Sequence, residues 1–335
     1  MKYADRMRKQ KLYEFSFQPK SFWEYSRGNN IDLLINDEKS YDNNTTDNFI
    51  GKGRGTFLSK FNSEYAKRIL EMWSKKGDFI IDPFAGRSSR PLVSTLLERN
   101  YIGFDVLNDN LKEAQEQYDK LKQDRTLGKL RLINESSENI DKHFHKSVAD
   151  LIMTCPPYFN IEKYDSADGQ LTDIKTYDDF LKTYAIILNK SADVLKPGGF
   201  FIVVLANFRI EGKFYDFVGD TKNILKQNLD YHDEIILEMS PAKRHPLYVQ
   251  AITNLNCLKT HEYCLVFRKP DDKDKLIDRN NDINWNRPLV KDIYGNKEDL
   301  FLANYKGFLH SHLGMIFSIQ KLNFHGEPLS NHRPA

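Results

Sequence analysis

The chain has 335 residues, of which 40% are apolar and 29% are charged, and its net charge is +2 at neutral pH. This length and composition are typical of a globular protein with one large domain and some additions, and they exclude a disordered chain. No apolar run approaches the roughly 18 residues of a transmembrane helix, and the N-terminus has no apolar signal segment. Three cysteines favour a reducing compartment, so we expect a cytoplasmic protein. Their spacing predicts no metal site.

Residues 1–56 are predicted to form an extension in front of the main domain. Residues 1–27 carry seven Lys or Arg against three acids, with aromatic residues interleaved. This pattern suits contact with a phosphate backbone, although a solvated face whose aromatic rings turn into the core fits it equally well. Residues 28–50 are rich in Asn and Asp and predict a mobile loop. The glycine-rich basic run 51–55, which contains Arg54, is either a phosphate contact or a hinge.

A strand, a small-residue turn and a helix follow in the segment Phe79-Ile80-Ile81-Asp82-Pro83-Phe84-Ala85-Gly86-Arg87-Ser88-Ser89 and the residues after it. Asp82 ends the strand, and Gly86 allows a tight turn into a helix predicted over 91–99. Such a turn brings backbone N–H groups close to a ligand at the helix N-terminus. A second strand, 101–104, ends at Asp105, where an acid suits hydrogen bonding to a ribose hydroxyl.

The middle of the chain continues this alternation of helices and strands. Asn108 is predicted to be the N-cap of a helix, and 130–133 is predicted to be a strand followed by Glu135. A helix is predicted over 177–195, with Lys196-Pro197-Gly198-Gly199 as the turn that ends it. The apolar run that follows is typical of a strand covered on both faces.

The segment Thr154-Cys155-Pro156-Pro157-Tyr158 follows an apolar strand predicted from Ala149 to Met153. Two consecutive prolines offer no backbone N–H, so they end the strand in a stiff turn. At the carboxyl end of a strand in an open α/β sheet, such a turn can aim backbone carbonyls at a substrate amine. The tyrosine can then stack on a planar ring. A surface turn with a packing tyrosine is the plain alternative.

The last part of the predicted domain is a helix over 214–229 and two strands that form an antiparallel hairpin at the sheet edge. Residues 239–270 carry five Lys or Arg against one acid. Within this segment Lys243, Arg244 and His245 are candidates for nucleic-acid contact and target recognition, although a solvated loop is the alternative. The C-terminal extension, 271–335, begins with a charged run and continues with an apolar stretch.

The motifs around Gly86, Asp105 and Tyr158 together resemble the cofactor-binding and catalytic motifs of DNA amino-methyltransferases, which methylate cytosine N4 or adenine N6. The resemblance covers about residues 57–269. It implies a class I methyltransferase fold of the Rossmann-like α/β type in residues 57–270. That fold has a mostly parallel sheet with helices on both faces and an antiparallel edge hairpin.

The resemblance also implies roles for individual residues. The residues expected to bind S-adenosyl-L-methionine are Phe61, Asp82, Pro83, Phe84, Ala85, Gly86, Ser88, Asp105 and Glu135. The residues expected to be catalytic are Thr154, Cys155, Pro156, Pro157 and Tyr158. The expected partner is DNA with its target base flipped out of the helix, because a stacked base cannot reach such a pocket. A cognate restriction nuclease and a homodimer are further partners that the resemblance suggests.

Two departures from the family pattern affect this interpretation. Ser88 stands where the family usually has a second glycine. Cys155 stands where it has Ser, Asp or Asn, and a thiol is a weaker hydrogen-bond partner than these. Because the Thr-x-Pro-Pro-Tyr form is nearer to the family's Ser-Pro-Pro-Tyr pattern than to Asp-Pro-Pro-Tyr, cytosine N4 is slightly favoured. An RNA or protein amino-methyltransferase and a non-catalytic nucleic-acid-binding relative are the alternatives.

Overall fold

The computed structural model describes residues 20–25, 61–87, 89–161, 169–239, 249 and 251–271. All of these belong to one compact unit, Phe17–Ile277. Several residues with predicted roles lie outside the described part of the chain, namely Arg54, Ser88, Lys243, Arg244 and His245. Most of the two predicted extensions, 1–56 and 271–335, also lies outside it.

The described elements alternate strand and helix as the motifs predicted. The strands are β1 (Phe22–Trp23), β2 (Phe79–Asp82), β3 (Asn100–Phe104), β4 (Leu130–Ile133), β5 (Ala149–Thr154), β6 (Leu195–Leu205), β7 (Phe208–Ile210), β8 (Lys213–Tyr215), β9 (Asp230–Glu238) and β10 (His261–Arg268). The helices are α1 (Ser63–Trp73), α2 (Ser89–Leu96), α3 (Asn108–Asp124), α4 (Ile140–His143), α5 (Tyr177–Val194) and α6 (Phe217–Leu225).

The main sheet has the strand order β1-β9-β10-β6-β5-β2-β3-β4. The strands from β6 to β4 in this order run parallel to one another, whereas β10 is antiparallel to both of its neighbours. The chain runs outward from β2 to β4 and then returns to β5, so the order reverses between β2 and β5. In open α/β sheets ligands bind at the carboxyl ends of the strands at such a reversal.

The helices lie in two layers. Right-handed crossovers place α2 and α3 on one face as the chain moves outward, and α4 and α5 on the other face as it returns. The contacts agree, because α2 packs against α1 and α3, whereas α5 packs against α4 and α6. A sheet covered on both faces needs apolar residues on successive positions, and Leu151, Ile152 and Met153 of β5 are all fully buried. The predicted class of fold is therefore confirmed.

The antiparallel hairpin of β9 and β10 is present, but it is not the outermost part of the sheet. The two-residue strand β1 pairs in parallel with β9 and lies beyond it. Trp23 is buried and stacks on Trp73 of α1 with 6.1 Å between ring centroids. Trp23 belongs to the basic N-terminal segment, and for this residue the structure supports packing into the core. The neighbouring Phe22 is 47% exposed.

Three local predictions were wrong. The N-cap of α3 is Leu107, not Asn108, because the Asp105 carboxylate accepts the Leu107 N–H at 2.7 Å and starts the helix one residue earlier. The segment 196–199 is not a separate helix-ending turn but part of β6, where it forms an irregularity in the pairing with β5. The helix predicted over 214–229 begins only at Phe217, since Lys213–Tyr215 pairs with β7.

Gly103 allows β3 to approach the turn that follows β2. A β-carbon at this position would lie 2.7 Å from the Ala85 β-carbon and 2.8 Å from Tyr101 Cε1. The Ala85 N–H donates to the Phe104 carbonyl at 2.8 Å, which holds the turn in place. The absence of a side chain at Gly103 therefore lets the turn after β2 pack against β3.

We predict that Gly103→Ala destabilises the protein by about 1–3 kcal/mol, because the added methyl group overpacks this contact. Urea unfolding measures the change. The matched control is the double variant Ala85→Gly/Gly103→Ala, which removes the opposing β-carbon. The double variant should lose less stability than the sum of its two single substitutions. Strict additivity would contradict the predicted contact.

Candidate active site

The centre of the site is the Asp82 carboxylate, which ends β2 and is fully buried. One carboxylate oxygen accepts the Thr154 hydroxyl at 2.6 Å and the Phe84 N–H at 3.0 Å. The other accepts the Arg90 Nε–H at 2.6 Å and the Tyr101 hydroxyl at 2.7 Å. Four partners on four segments of the chain therefore hold one carboxylate, and a buried charge of this kind needs such partners.

Arg90, on α2, is the cation of this buried pair. Burial alone would lower the pKa of Arg90, but the adjacent Asp82 carboxylate outweighs burial and raises that pKa, so the guanidinium stays charged. The Arg90 guanidinium also donates to the carbonyls of Phe84 and Ala85, the latter at 3.1 Å. Its carbon lies 5.0 Å from the centroid of the Phe61 ring. Arg90 therefore holds both the turn and the aromatic residue that precedes α1.

Tyr101 donates to Asp82 from the neighbouring strand β3. Burial, and after it the Asp82 carboxylate, raise the pKa of Tyr101 well above its ordinary value. The phenol therefore keeps its proton and acts as a donor. The Ser137 hydroxyl donates to the Pro83 carbonyl and holds the other side of the turn.

The glycine turn after β2 is tied to the end of β3 through Asp105. Gly86 has a left-handed φ of 58°, which glycine adopts without a steric penalty. Its N–H donates to one Asp105 carboxylate oxygen at 2.8 Å, while the other oxygen accepts the Leu107 N–H. Burial raises the pKa of Asp105 above its ordinary value. The Asn110 side chain is a third hydrogen-bond partner of this carboxylate. A carboxylate has about four lone-pair sites, so Asp105 can still accept a hydrogen bond from a ligand hydroxyl.

Glu135 follows β4 at the same edge of the sheet as the two motifs. Its carboxylate lies 2.6 Å from the Asn139 side-chain nitrogen and 2.6 Å from His143 Nε2. The hydrogen bond with His143 lowers the pKa of Glu135, so the group is a carboxylate at neutral pH. The His143 ring packs edge-on against Phe104, which fixes the pair beside β3.

The Pro-Pro loop leaves β5 directly beside this turn. Thr154 is fully buried and points at Asp82, whereas Cys155 is partly exposed. Pro156 is buried and Pro157 partly exposed, which gives the loop a rigid base. The loop and the glycine turn thus follow adjacent strands and share the Asp82 carboxylate.

Tyr158 lies at the end of the loop, and other aromatic rings pack against its ring. Phe208 and Phe217 meet it edge-on, with centroids 5.8 Å and 6.1 Å away. The Tyr158 hydroxyl lies 3.4 Å from a Glu262 carboxylate oxygen, and Lys259 Nζ lies 5.1 Å from the ring centroid. These contacts hold the ring at a fixed angle while it stays partly exposed.

The structure brings the predicted residues of both motifs to one edge of the sheet, but their surroundings differ. Asp82 and Thr154 are fully buried and bonded to each other, so we assign them to positioning the two loops. Gly86, Asp105 and Tyr158 remain partly accessible. Pro83, Phe84, Ala85, Cys155, Pro156 and Pro157 form the two loops around them.

Sequence reasoning missed Arg90, Gly103 and the donor role of Tyr101. The sequence did contain a signal for Arg90. It is a lone arginine among the small and apolar residues at the start of α2, and a charge in such a place must find a buried partner. Among the described residues, no group of His, Cys, Asp or Glu could hold a metal ion. None of the described helices is long and apolar enough to cross a membrane.

A glycine turn and a Pro-Pro-Tyr loop at the reversal point of this sheet define a methyltransferase of the amino-directed class. A family model described as DNA methylase, of the N6 and N4 type, matches residues 2–116 and 149–310. The chain therefore belongs to this DNA methylase family, as the motifs predicted, and its cofactor is S-adenosylmethionine. No curated protein matches the chain.

Solved structures similar to this chain include TrmN from Thermus thermophilus, with 14% identity and a TM-score of 0.43 over 64% of this chain and 50% of TrmN. The match thus spans half of TrmN. A SAM-dependent methyltransferase from Methanosarcina mazei has 14% identity and a TM-score of 0.43 over 64% of this chain and 99% of the other. A candidate DNA modification methylase from Thermus thermophilus has 20% identity and a TM-score of 0.31, over 44% and 55%.

We predict that Thr154→Val destabilises the protein by about 2 kcal/mol, because the buried Asp82 carboxylate loses a hydrogen bond while the side-chain volume is kept. Urea unfolding measures the loss. Thr95→Val is the matched control. Thr95 is equally buried, but its hydroxyl donates only to the Pro91 and Leu92 carbonyls of its own helix. If both variants lose the same stability, the hydrogen bond from Thr154 to Asp82 contributes no more than a hydrogen bond to a helix carbonyl.

We also predict a pH-dependent contribution from Glu135. Its folded pKa is lowered from the ordinary 4.5, so its contribution to stability is present above that pH and is lost as the pH falls through the folded pKa. Glu135→Gln should therefore be less stable than the wild type at neutral pH, and the difference should shrink below pH 4.5. Unfolding measured across this range tests the effect. Glu116→Gln, at an exposed position of α3, should show no such trend.

Proposed function

We propose that this chain is a site-specific DNA methyltransferase that modifies an exocyclic base amine, with cytosine N4 favoured over adenine N6. The observation that carries the proposal is the shared Asp82 carboxylate, which joins the glycine turn to the Pro-Pro loop through Thr154. Methyl transfer between two substrates depends on their relative placement, and a rigid link between the two binding loops supplies it.

The residues around the glycine turn are suited to S-adenosylmethionine. Around Gly86 there is room, since an added β-carbon would meet nothing nearer than 3.8 Å. We propose that the N–H groups of this turn and the Asp105 carboxylate bind the polar groups of the cofactor, including its ribose. Phe61 would contact its adenine ring, and Glu135 its adenine amine. The bound cofactor supplies an electrophilic methyl group on its sulfonium.

The Pro-Pro loop would prepare the base amine. The lone pair of such an amine is delocalised into the ring, so the amine is a poor nucleophile until its N–H groups are held out of conjugation. We propose that the Pro156 carbonyl and the Cys155 thiol accept these N–H groups. Tyr158 would stack on the base, whose entry requires that it leave the DNA helix.

The preference for cytosine depends on the loop sequence alone. Thr154 to Tyr158 is nearer to the Ser-Pro-Pro-Tyr pattern than to Asp-Pro-Pro-Tyr. A homodimer and a cognate restriction nuclease stay predictions, as does location in the cytoplasm.

Transfer of a labelled methyl group from S-adenosylmethionine to unmethylated genomic DNA tests the proposal directly. We expect label in DNA and N4-methylcytosine as the product found by nucleoside mass spectrometry. N6-methyladenine would overturn the preference for cytosine and keep the class of enzyme. Label in RNA or protein but not in DNA would overturn the proposed substrate.

The role of Tyr158 is tested in the same assay. Tyr158→Ala should lower the rate of transfer by about 100-fold, because the base loses the surface that aligns it. Tyr158→Phe keeps the ring and should remain close to the wild type. Both variants should bind S-adenosylmethionine normally in calorimetry. Equal losses in both variants would assign the effect to the Tyr158 hydroxyl and not to stacking.

A further inference from the structure

The hairpin of β7 and β8 contributes Phe208 to the support of Tyr158, but its other residues have no role in the site described above. It begins at Phe208, three positions after β6 ends, and therefore rises from the carboxyl edge of the sheet. Its turn residues Glu211 and Gly212 have φ values of 48° and 82°. Two consecutive positive φ angles are typical of a type I′ turn, which makes a tight and well-defined hairpin.

One face of this hairpin packs against the Pro-Pro loop. Phe208 and Tyr215 pair across the strands, and their rings stack at 5.2 Å with an angle of 14°. Phe208 supports the Tyr158 ring, while the Tyr215 ring lies 6.2 Å from that of Phe159. The hairpin therefore has a fixed position relative to the substrate base that Tyr158 would hold.

The opposite face carries an arginine and an exposed aromatic ring. Side chains alternate between the two faces of a strand, so the next cross-strand pair, Arg209 and Phe214, points away from the Pro-Pro loop. The Arg209 guanidinium carbon lies 5.0 Å from the Phe214 centroid, and one of its nitrogens donates to the Gly212 carbonyl at 3.0 Å. Phe214 is 51% exposed. Lys213 is exposed too, but it pairs with Ile210 on the other face, where its Nζ lies 4.9 Å from the Tyr215 ring centroid.

We propose that this outward face is a DNA-contacting surface, in which Arg209 binds a phosphate next to the target and Phe214 stacks on a base left unpaired when the target flips out. The inference rests on the proposed function. A cation beside an exposed ring matches the two groups that DNA presents there, phosphate and base. The anchor on Tyr158 places this surface next to the flipped base.

Phe214→Ala tests the stacking role in the same methyl-transfer assay on unmethylated genomic DNA. We expect the rate to fall about tenfold or more, as for other losses of aromatic stacking on a base, with binding of S-adenosylmethionine unchanged. Phe214→Trp should restore most of the rate. Phe79→Ala is the matched control, since Phe79 is 44% exposed but begins β2 at the opposite edge of the sheet. A rate for Phe214→Ala equal to that of Phe79→Ala would overturn the stacking role.

Binding of a fluorescein-labelled DNA duplex across a range of salt concentrations tests the phosphate contact. Arg209→Ala should weaken binding and reduce the slope of log affinity against log salt by about 0.9, the contribution of one phosphate contact. The control is Lys129→Ala, which removes one exposed cation from the amino edge of the sheet. An unchanged slope in Arg209→Ala would overturn the phosphate contact.

The two proposals fail in different ways. If the wild-type protein methylates DNA and the hairpin variants match their controls, the hairpin surface is wrong and the proposed function holds. If the wild-type protein transfers no methyl group to DNA, the proposed function is wrong, and the hairpin proposal falls with it.

Discussion

The Asp82 carboxylate is the interaction on which the rest of the site depends. It is buried with no exposed surface, and Arg90, Tyr101, Thr154 and the Phe84 N–H all donate to it. A buried charge without such partners is strongly unfavourable, and removal of one partner from a buried ion pair costs about 3–5 kcal/mol. The glycine turn and the Pro-Pro loop therefore share one polar anchor, and neither can move without disturbing the other.

The aromatic cluster that packs against the Pro-Pro loop gives the second constraint. Tyr158 and Phe159 pack on rings contributed by α5, α6 and the hairpin, among them Phe180, Phe208 and Phe217. Ring pairs at these distances contribute about 0.5–1.5 kcal/mol each beyond the area they bury. This cluster links the loop that would hold the base to the hairpin that we propose contacts DNA, so one packed unit supports both surfaces.

The positions of strands and turns were predicted by the motifs and not by the composition. Strand, turn and strand around Gly86 and Asp105 were found where expected, because alternation and turn chemistry are local signals. The start of the helix predicted over 214–229 was wrong because Phe214 and Tyr215 pair across a hairpin, and helical spacing of apolar residues cannot reveal a partner strand. Asn108 was a reasonable cap by residue type, but the Asp105 carboxylate takes the capping role from outside the helix.

The sequence by itself determined the class of fold, the family and the two loops, because each depends on short runs whose chemistry is local: glycine for a left-handed turn, paired prolines for a rigid one. Only the tertiary structure decided that Asp82 and Thr154 lie buried against each other, that Arg90 is the counter-ion of Asp82, and that Gly103 makes room for Ala85. These contacts join residues on separate strands and helices. They exist only because the crossovers bring the carboxyl ends of β2, β3 and β5 to one edge, which no local pattern encodes.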